Sequence, residues 1–218
     1  MSIADLCRDV RLSIRGLVAD LPDEGRGIRV PACPAWTVRD LVGHLVGTAE
    51  DVLAEIPQFP LSEAQTSAEV LRWDAIPLTE LLERWDDLAP AYERLAEEQK
   101  LMPALVDVVT HEHDIRGALD LPGDRDSPAV VQLAGFVLNA WRPPIPLRVR
   151  FDNDTAVTLG EWHDGGLELV STPWNFVRWH SGRRSVRQAA AMQWSTPPPS
   201  SLLAGLGVFG LAAADVLE

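Results

Sequence analysis

Asp107 and His111 stand four residues apart in the run Asp107-Val-Val-Thr-His111-Glu-His-Asp114-Ile-Arg116. At 3.6 residues per turn, that spacing puts both side chains on one face of a helix. A carboxylate and an imidazole so arranged can share one metal ion. A second imidazole, His44, lies in Trp36-Thr-Val-Arg-Asp40-Leu-Val-Gly-His44-Leu-Val-Gly47. There Val38, Leu41, Val42, Leu45 and Val46 recur at helical spacing and carry His44 on or beside the buried stripe. Two such helices packed together bring two histidines and one aspartate to a point and leave room for water. That is the donor set of a catalytic divalent-metal site, zinc first, with nickel, manganese or iron as alternatives. The competing reading is structural, since a lone helical histidine is more often a core or surface residue and no metalloprotease-type motif reinforces the set.

Neighbouring side chains extend the pattern. Asp114, three residues after His111, shares its face and can accept the second N–H of a ligand imidazole. A surface salt bridge is its alternative role. His113 is a reserve ligand, turned away from His111 along the helix. Arg183 and Arg184, with Arg178 and Arg187 nearby, make a cationic turn in an acidic chain, suited either to a substrate carboxylate or to ion pairs with acidic surface. Cys33 lies on the segment leading into the His44 helix, where packing is the favoured role and a thiol near the metal the alternative. No glycine-rich phosphate loop, Ser-His-Asp order or paired Cys-x-x-Cys motif is present.

The elements that must position these residues are mostly helical. Residues 3 to about 20 form one apolar stripe. Thr37 and Asp40 read as a capping box that starts a helix over about 38–56, and the stretch from Pro57 to Pro77 reads as a loop or short helix over the bundle. Leu81, Leu82, Trp85, Leu88, Tyr92 and Leu95 mark a third long helix from Leu78 to Glu98. The Asp107/His111 helix follows Pro103 and stops before Pro122-Gly123, and Ser127 caps a fifth helix to about Ala140. The proline-rich Trp141-Arg-Pro-Pro-Ile-Pro146 marks a seam. Beyond it, Leu147 to Phe151, Ala156 to Trp162 and Leu167 to Val170 read as an antiparallel meander, with short helices after Pro173 and from about Ser200. The fold class is therefore α+β: a four- or five-helix bundle over residues 1–141 and a small α/β domain over 146–218.

A chain of 218 residues that is 46% hydrophobic can bury a substantial core. Its net charge of −13 excludes the basic footprint that nucleic acid requires. The apolar run from Leu202 to Val216 is too short and too rich in small residues to span a bilayer. The N-terminus lacks a signal peptide's cationic start and apolar middle, and Cys7 and Cys33 make no disulfide framework, so a cytoplasmic location is expected.

Three stretches together carry a resemblance. They are Cys33-Pro-Ala-Trp36-Thr-Val-Arg-Asp40-Leu-Val-Gly-His44-Leu, then Asp107-x-x-x-His111-x-x-Asp114-Ile-Arg, then Arg178-x-x-Ser181-Gly-Arg-Arg-Ser185. Over almost the whole chain this resembles the mycothiol-dependent maleylpyruvate isomerase-like proteins of the DinB-like metal-binding superfamily. The resemblance implies a DinB-like helical bundle holding a divalent metal, followed by a small sterol-carrier-like α/β domain. It places the metal ligands on His44, Asp107 and His111, with Asp in this chain where the isomerase has Glu. It further implies mycothiol as a thiol cosubstrate, activated at the metal for isomerisation or S-transfer on a small electrophile. In that scheme Asp114 orients a ligand and Arg183 or Arg184 anchors an acidic group. The alternative is a DinB-like protein that binds metal, ligand or partner without catalysis.

Overall fold

The computed structural model describes residues 1–22, 27–56, 62–207 and 210–218. Two compact units divide the chain, residues 1–123 with Glu218 and residues 124–217.

The first unit is helical. Helix α1 (Ile3–Val18) starts at a capping box in which Ser2 and Asp5 satisfy each other's backbone donors. A short antiparallel ribbon follows, β1 (Arg29–Val30) with β2 (Cys33–Thr37). Thr37 closes the ribbon and also caps α2 (Val38–Leu53), in the capping box with Asp40 that its sequence predicts. Helix α3 (Glu63–Arg72) occupies part of the stretch expected as loop or short helix, whose first residues, 57–61, lie outside the described residues. Helices α4 (Leu78–Glu98) and α5 (Met102–Ala118) complete the unit.

Packing sets α5 apart from the other helices of this unit. It lies against α1, α2 and β1, and every residue from 108 to 115 is buried, including the polar run Thr110, His111, Glu112, His113 and Asp114. Buried polar groups are costly unless partnered. Glu112 is matched by Arg116, whose Nε lies 3.1 Å away, and by the Ser13 hydroxyl, which donates at 2.5 Å. Arg8 and Arg11 both reach Glu93, at 2.9 and 3.2 Å, and tie α1 to α4.

The second unit contains α6 (Pro128–Ala140), a four-stranded sheet and three short helices, α7 (Pro173–His180), α8 (Val186–Ala190) and α9 (Ser200–Ala204). The seam predicted at residues 141–146 therefore falls one helix later than the division of the units. Helix α6 packs on α7 and so groups with the sheet.

Strands β3 (Leu147–Phe151), β4 (Ala156–Leu159), β5 (Leu167–Ser171) and β6 (Gln193–Trp194) are ordered β4-β3-β5-β6. The expected meander is corrected here, because β5 pairs with β3, and in parallel, instead of with β4. Burial gives the reason. Leu147, Val149 and Phe151 are buried on β3 and Leu167 and Leu169 on β5, whereas β4 buries Leu159 alone. The strand with the least apolar surface takes the edge. No helix among the described residues is long and apolar enough to cross a membrane.

Candidate metal centre

His44 comes from the second turn of α2, and Asp107 and His111 come from successive turns of α5. The three offer donor atoms that all lie within 4.8 Å of one another. Nε2 of His44 is 3.5 Å from Oδ1 of Asp107, and Nε2 of His111 is 3.4 Å from the same oxygen. An N–H···O hydrogen bond settles near about 2.9 Å. Donor atoms about 2.0–2.1 Å from a tetrahedral zinc ion lie roughly 3.3–3.5 Å from each other. The two separations from Asp107 therefore fit edges of an ion's coordination shell.

The far side of each ring is tied down. Nδ1 of His44 lies 2.7 Å from Oε2 of Glu69, and Nδ1 of His111 lies 3.0 Å from Oδ2 of Asp114. An ionised carboxylate can only accept, so each Nδ1 carries the hydrogen and each Nε2 is turned toward Asp107. Both orienting carboxylates are deeply buried, each with 1% of its residue surface exposed, whereas the Asp107 side chain keeps 24%. The open side of the cluster is thus at Asp107. The indole of Trp36, on β2, covers the imidazoles, with ring centroids 5.0 Å from His44 and 6.3 Å from His111.

Electrostatics couple the cluster. Burial opposes a charged His44 imidazolium, but Asp107 and then Glu69 outweigh it and raise its pKa to about 9. Burial likewise opposes ionisation of Asp107, yet His44 and His111 hold its carboxyl far below the usual carboxylate range. A dication bound there would compete with the proton that His44 holds beside this anion. Asp107 also acts at longer range, since burial and then the charges of Glu93 and Asp107 push the Cys7 thiol up to about 12.

The sequence-predicted residues His44, Asp107, His111 and Asp114 are brought together. Asp114 pairs with His111, while Arg116 turns to Glu112. His113 is buried but joins no group of donors that could hold an ion among the described residues. Arg183 and Arg184 belong to the second unit and are themselves buried, at 8% and 6% exposure. Arg183 donates to the Ser181 carbonyl at 2.6 Å, and Arg184 donates to Asn175 Oδ1 at 2.8 Å and stacks over Trp174.

Sequence reasoning missed Glu69 and Trp36. Glu69 is the single buried residue of α3, so this helix turns a carboxylate inward where an apolar residue is the norm. A hint lay in Gly47, one turn beyond His44. A Cβ added there would lie 2.7 Å from the Cβ of Glu69, so only glycine lets α3 come this close.

A helical unit with a two-histidine, one-aspartate cluster between its helices has the arrangement from which bundles can build metal sites with facing side chains. The family is given by comparison: the model of the mycothiol maleylpyruvate isomerase N-terminal domain matches residues 7–116, and the chain belongs to this family. The match contains His44, Asp107 and His111. Two solved structures, of the mycothiol-dependent maleylpyruvate isomerase and of a histidine-to-alanine variant of it, share the fold. Each has a TM-score of 0.53 and 13% identity, and covers 91% of this chain and 94% of that one. No curated protein matches the chain in sequence.

Proposed function

We propose that His44, Asp107 and His111 bind one divalent metal ion, zinc first with nickel or manganese as alternatives, at which a low-molecular-weight thiol is activated. The observation that carries this reading is the pair of buried carboxylates, Glu69 and Asp114, that fix both Nε2 atoms toward one oxygen of Asp107. A buried histidine serving only as packing has no need of this arrangement. A divalent ion held there lowers the pKa of a thiol that reaches its open position and so supplies a sulfur nucleophile at neutral pH.

The remaining work falls to the chain. Glu69 and Asp114 hold the ligand rings, and Trp36 excludes water from one side of them. The partial exposure of Asp107 leaves a side from which the thiol enters. The family and the solved isomerase support mycothiol as that thiol and isomerisation of a small electrophile as the reaction, with S-transfer as the alternative chemistry.

The test is to purify the untagged protein without chelator and measure bound metal by plasma mass spectrometry, beside a His44→Ala/His111→Ala double variant. Near one equivalent in the parent and little in the variant is expected, and mycothiol should then bind the loaded protein. Little metal in both after reconstitution with Zn²⁺, Ni²⁺ or Mn²⁺ would refute the site. Metal binding without thiol binding would leave a metal-binding module and remove the thiol chemistry.

A further inference from the structure

We infer that Cys33 is a positioning residue of this centre, holding Asp114 in place and, through Asp114, the ring of His111. The Cys33 thiol donates to Oδ2 of Asp114 at 3.6 Å, a normal length for a sulfur donor. The same oxygen accepts from Nδ1 of His111 at 3.0 Å. Two donors converging on one oxygen fix a carboxylate whose residue is 1% exposed, where few waters could serve in their place.

The other half of the centre follows the same plan. Oε2 of Glu69 accepts from His44 at 2.7 Å and from the Thr48 hydroxyl at 3.4 Å. Each orienting carboxylate thus has a second donor on the oxygen that faces its histidine. The two donors differ in origin, and the difference matters. Thr48 sits one turn beyond His44 on α2 itself, whereas Cys33 opens the strand β2 that runs through Thr37 into α2. The thiol therefore ties α5, which carries Asp107 and His111, to the segment that launches the His44 helix. Loss of that tie frees Asp114 to rotate, lets the His111 ring swing, and loosens the register between the two ligand helices.

The inference rests on the metal-binding reading only for its affinity readout. Zinc affinity is measured on the full chain by chelator competition for the parent, Cys33→Ala, Cys33→Ser, Asp114→Asn and the Cys33→Ala/Asp114→Asn double variant. Cys33→Ala should bind roughly 10-fold more weakly, at the low end of the effect of removing an outer partner of a ligand. Serine, which still donates a hydrogen bond, should recover part of the loss. The double variant should be no weaker than Asp114→Asn alone, because the thiol acts through that carboxylate.

Cys33→Ala binding zinc as tightly as the parent would overturn the inference. So would a sulfur-to-metal charge-transfer band in the Co²⁺-loaded parent that disappears in Cys33→Ala, since the thiolate would then itself be a ligand. The donors of Cys33, His111 and Asp114 lie within 4.8 Å of one another, so that outcome is sterically open. If no variant and no parent binds metal, the metal-binding reading fails, and ring ¹⁵N spectra of the metal-free proteins decide the positioning role. A His111 held as the Nδ1–H tautomer in the parent and mixed in Cys33→Ala supports it, and identical spectra refute it.

Discussion

Replacing Gly47 with alanine tests whether the close approach of α2 and α3 is what delivers Glu69 to His44. The added Cβ would meet the Cβ of Glu69 at 2.7 Å and its Cα and Cγ at 3.1 Å each. Carbon atoms settle about 3.5–4.0 Å apart, so α3 must retreat by roughly 0.8 Å or more. The hydrogen bond from His44 to Glu69, now 2.7 Å, then lengthens beyond useful range unless the side chain follows.

Two opposing terms set the stability change. Glycine to alanine in a helix interior gains about 0.5–1 kcal/mol. Overpacking costs about 1–3 kcal/mol, so the net change should be destabilising by up to about 2.5 kcal/mol. Loss of an outer partner should weaken zinc binding about 10- to 100-fold. Gly135, in the middle of α6, supplies the control, since nothing lies within 4 Å of a Cβ added there. Gly135→Ala should stabilise by about 0.5–1 kcal/mol and leave zinc affinity unchanged. Urea unfolding of the metal-free proteins and chelator competition read both quantities. A Gly47→Ala protein with the parent's urea midpoint or a higher one, and with unchanged zinc affinity, would refute the reasoning.

Other outcomes follow from the same geometry. Glu69→Gln keeps the size of the side chain but removes its charge, and zinc affinity should fall about 10- to 100-fold, which chelator competition checks. Iodoacetamide should label Cys33 well ahead of Cys7, which is 2% exposed and has its thiol pKa pushed up to about 12. Equal labelling, read by peptide mass spectrometry, would refute that assignment. In the metal-free protein the raised pKa of His44 contributes stability that is fully present below its unfolded value near 6.5 and is lost as pH rises through about 9. A shift of that size corresponds to about 3 kcal/mol at most, counted once for the coupled His44/Asp107 pair. Urea midpoints of the metal-free protein should therefore fall between pH 6.5 and 9, and a flat profile in His44→Ala is the expected control. Zinc-loaded protein should lack this decline, because the ion replaces the proton between His44 and Asp107.

The sequence by itself determined the local parts. Ser2/Asp5 and Thr37/Asp40 announce two helix starts because capping is a contact between residues three apart. Asp107, His111 and Asp114 share a helical face for the same reason of short range, so most of the candidate site was legible before any packing was known. The tertiary structure alone decided what depends on contacts between distant segments. Nothing local distinguishes Glu69 from a surface glutamate, and it is a partner of His44 only because α3 packs on α2 across Gly47. Trp36 joins the cluster only because β2 places it over two imidazoles. The parallel pairing of β5 with β3, and the placement of α6 with the sheet instead of the bundle, follow from which faces can be buried together. A period-two or period-3.6 pattern states that a face is apolar, and the surface it meets is set by the rest of the chain.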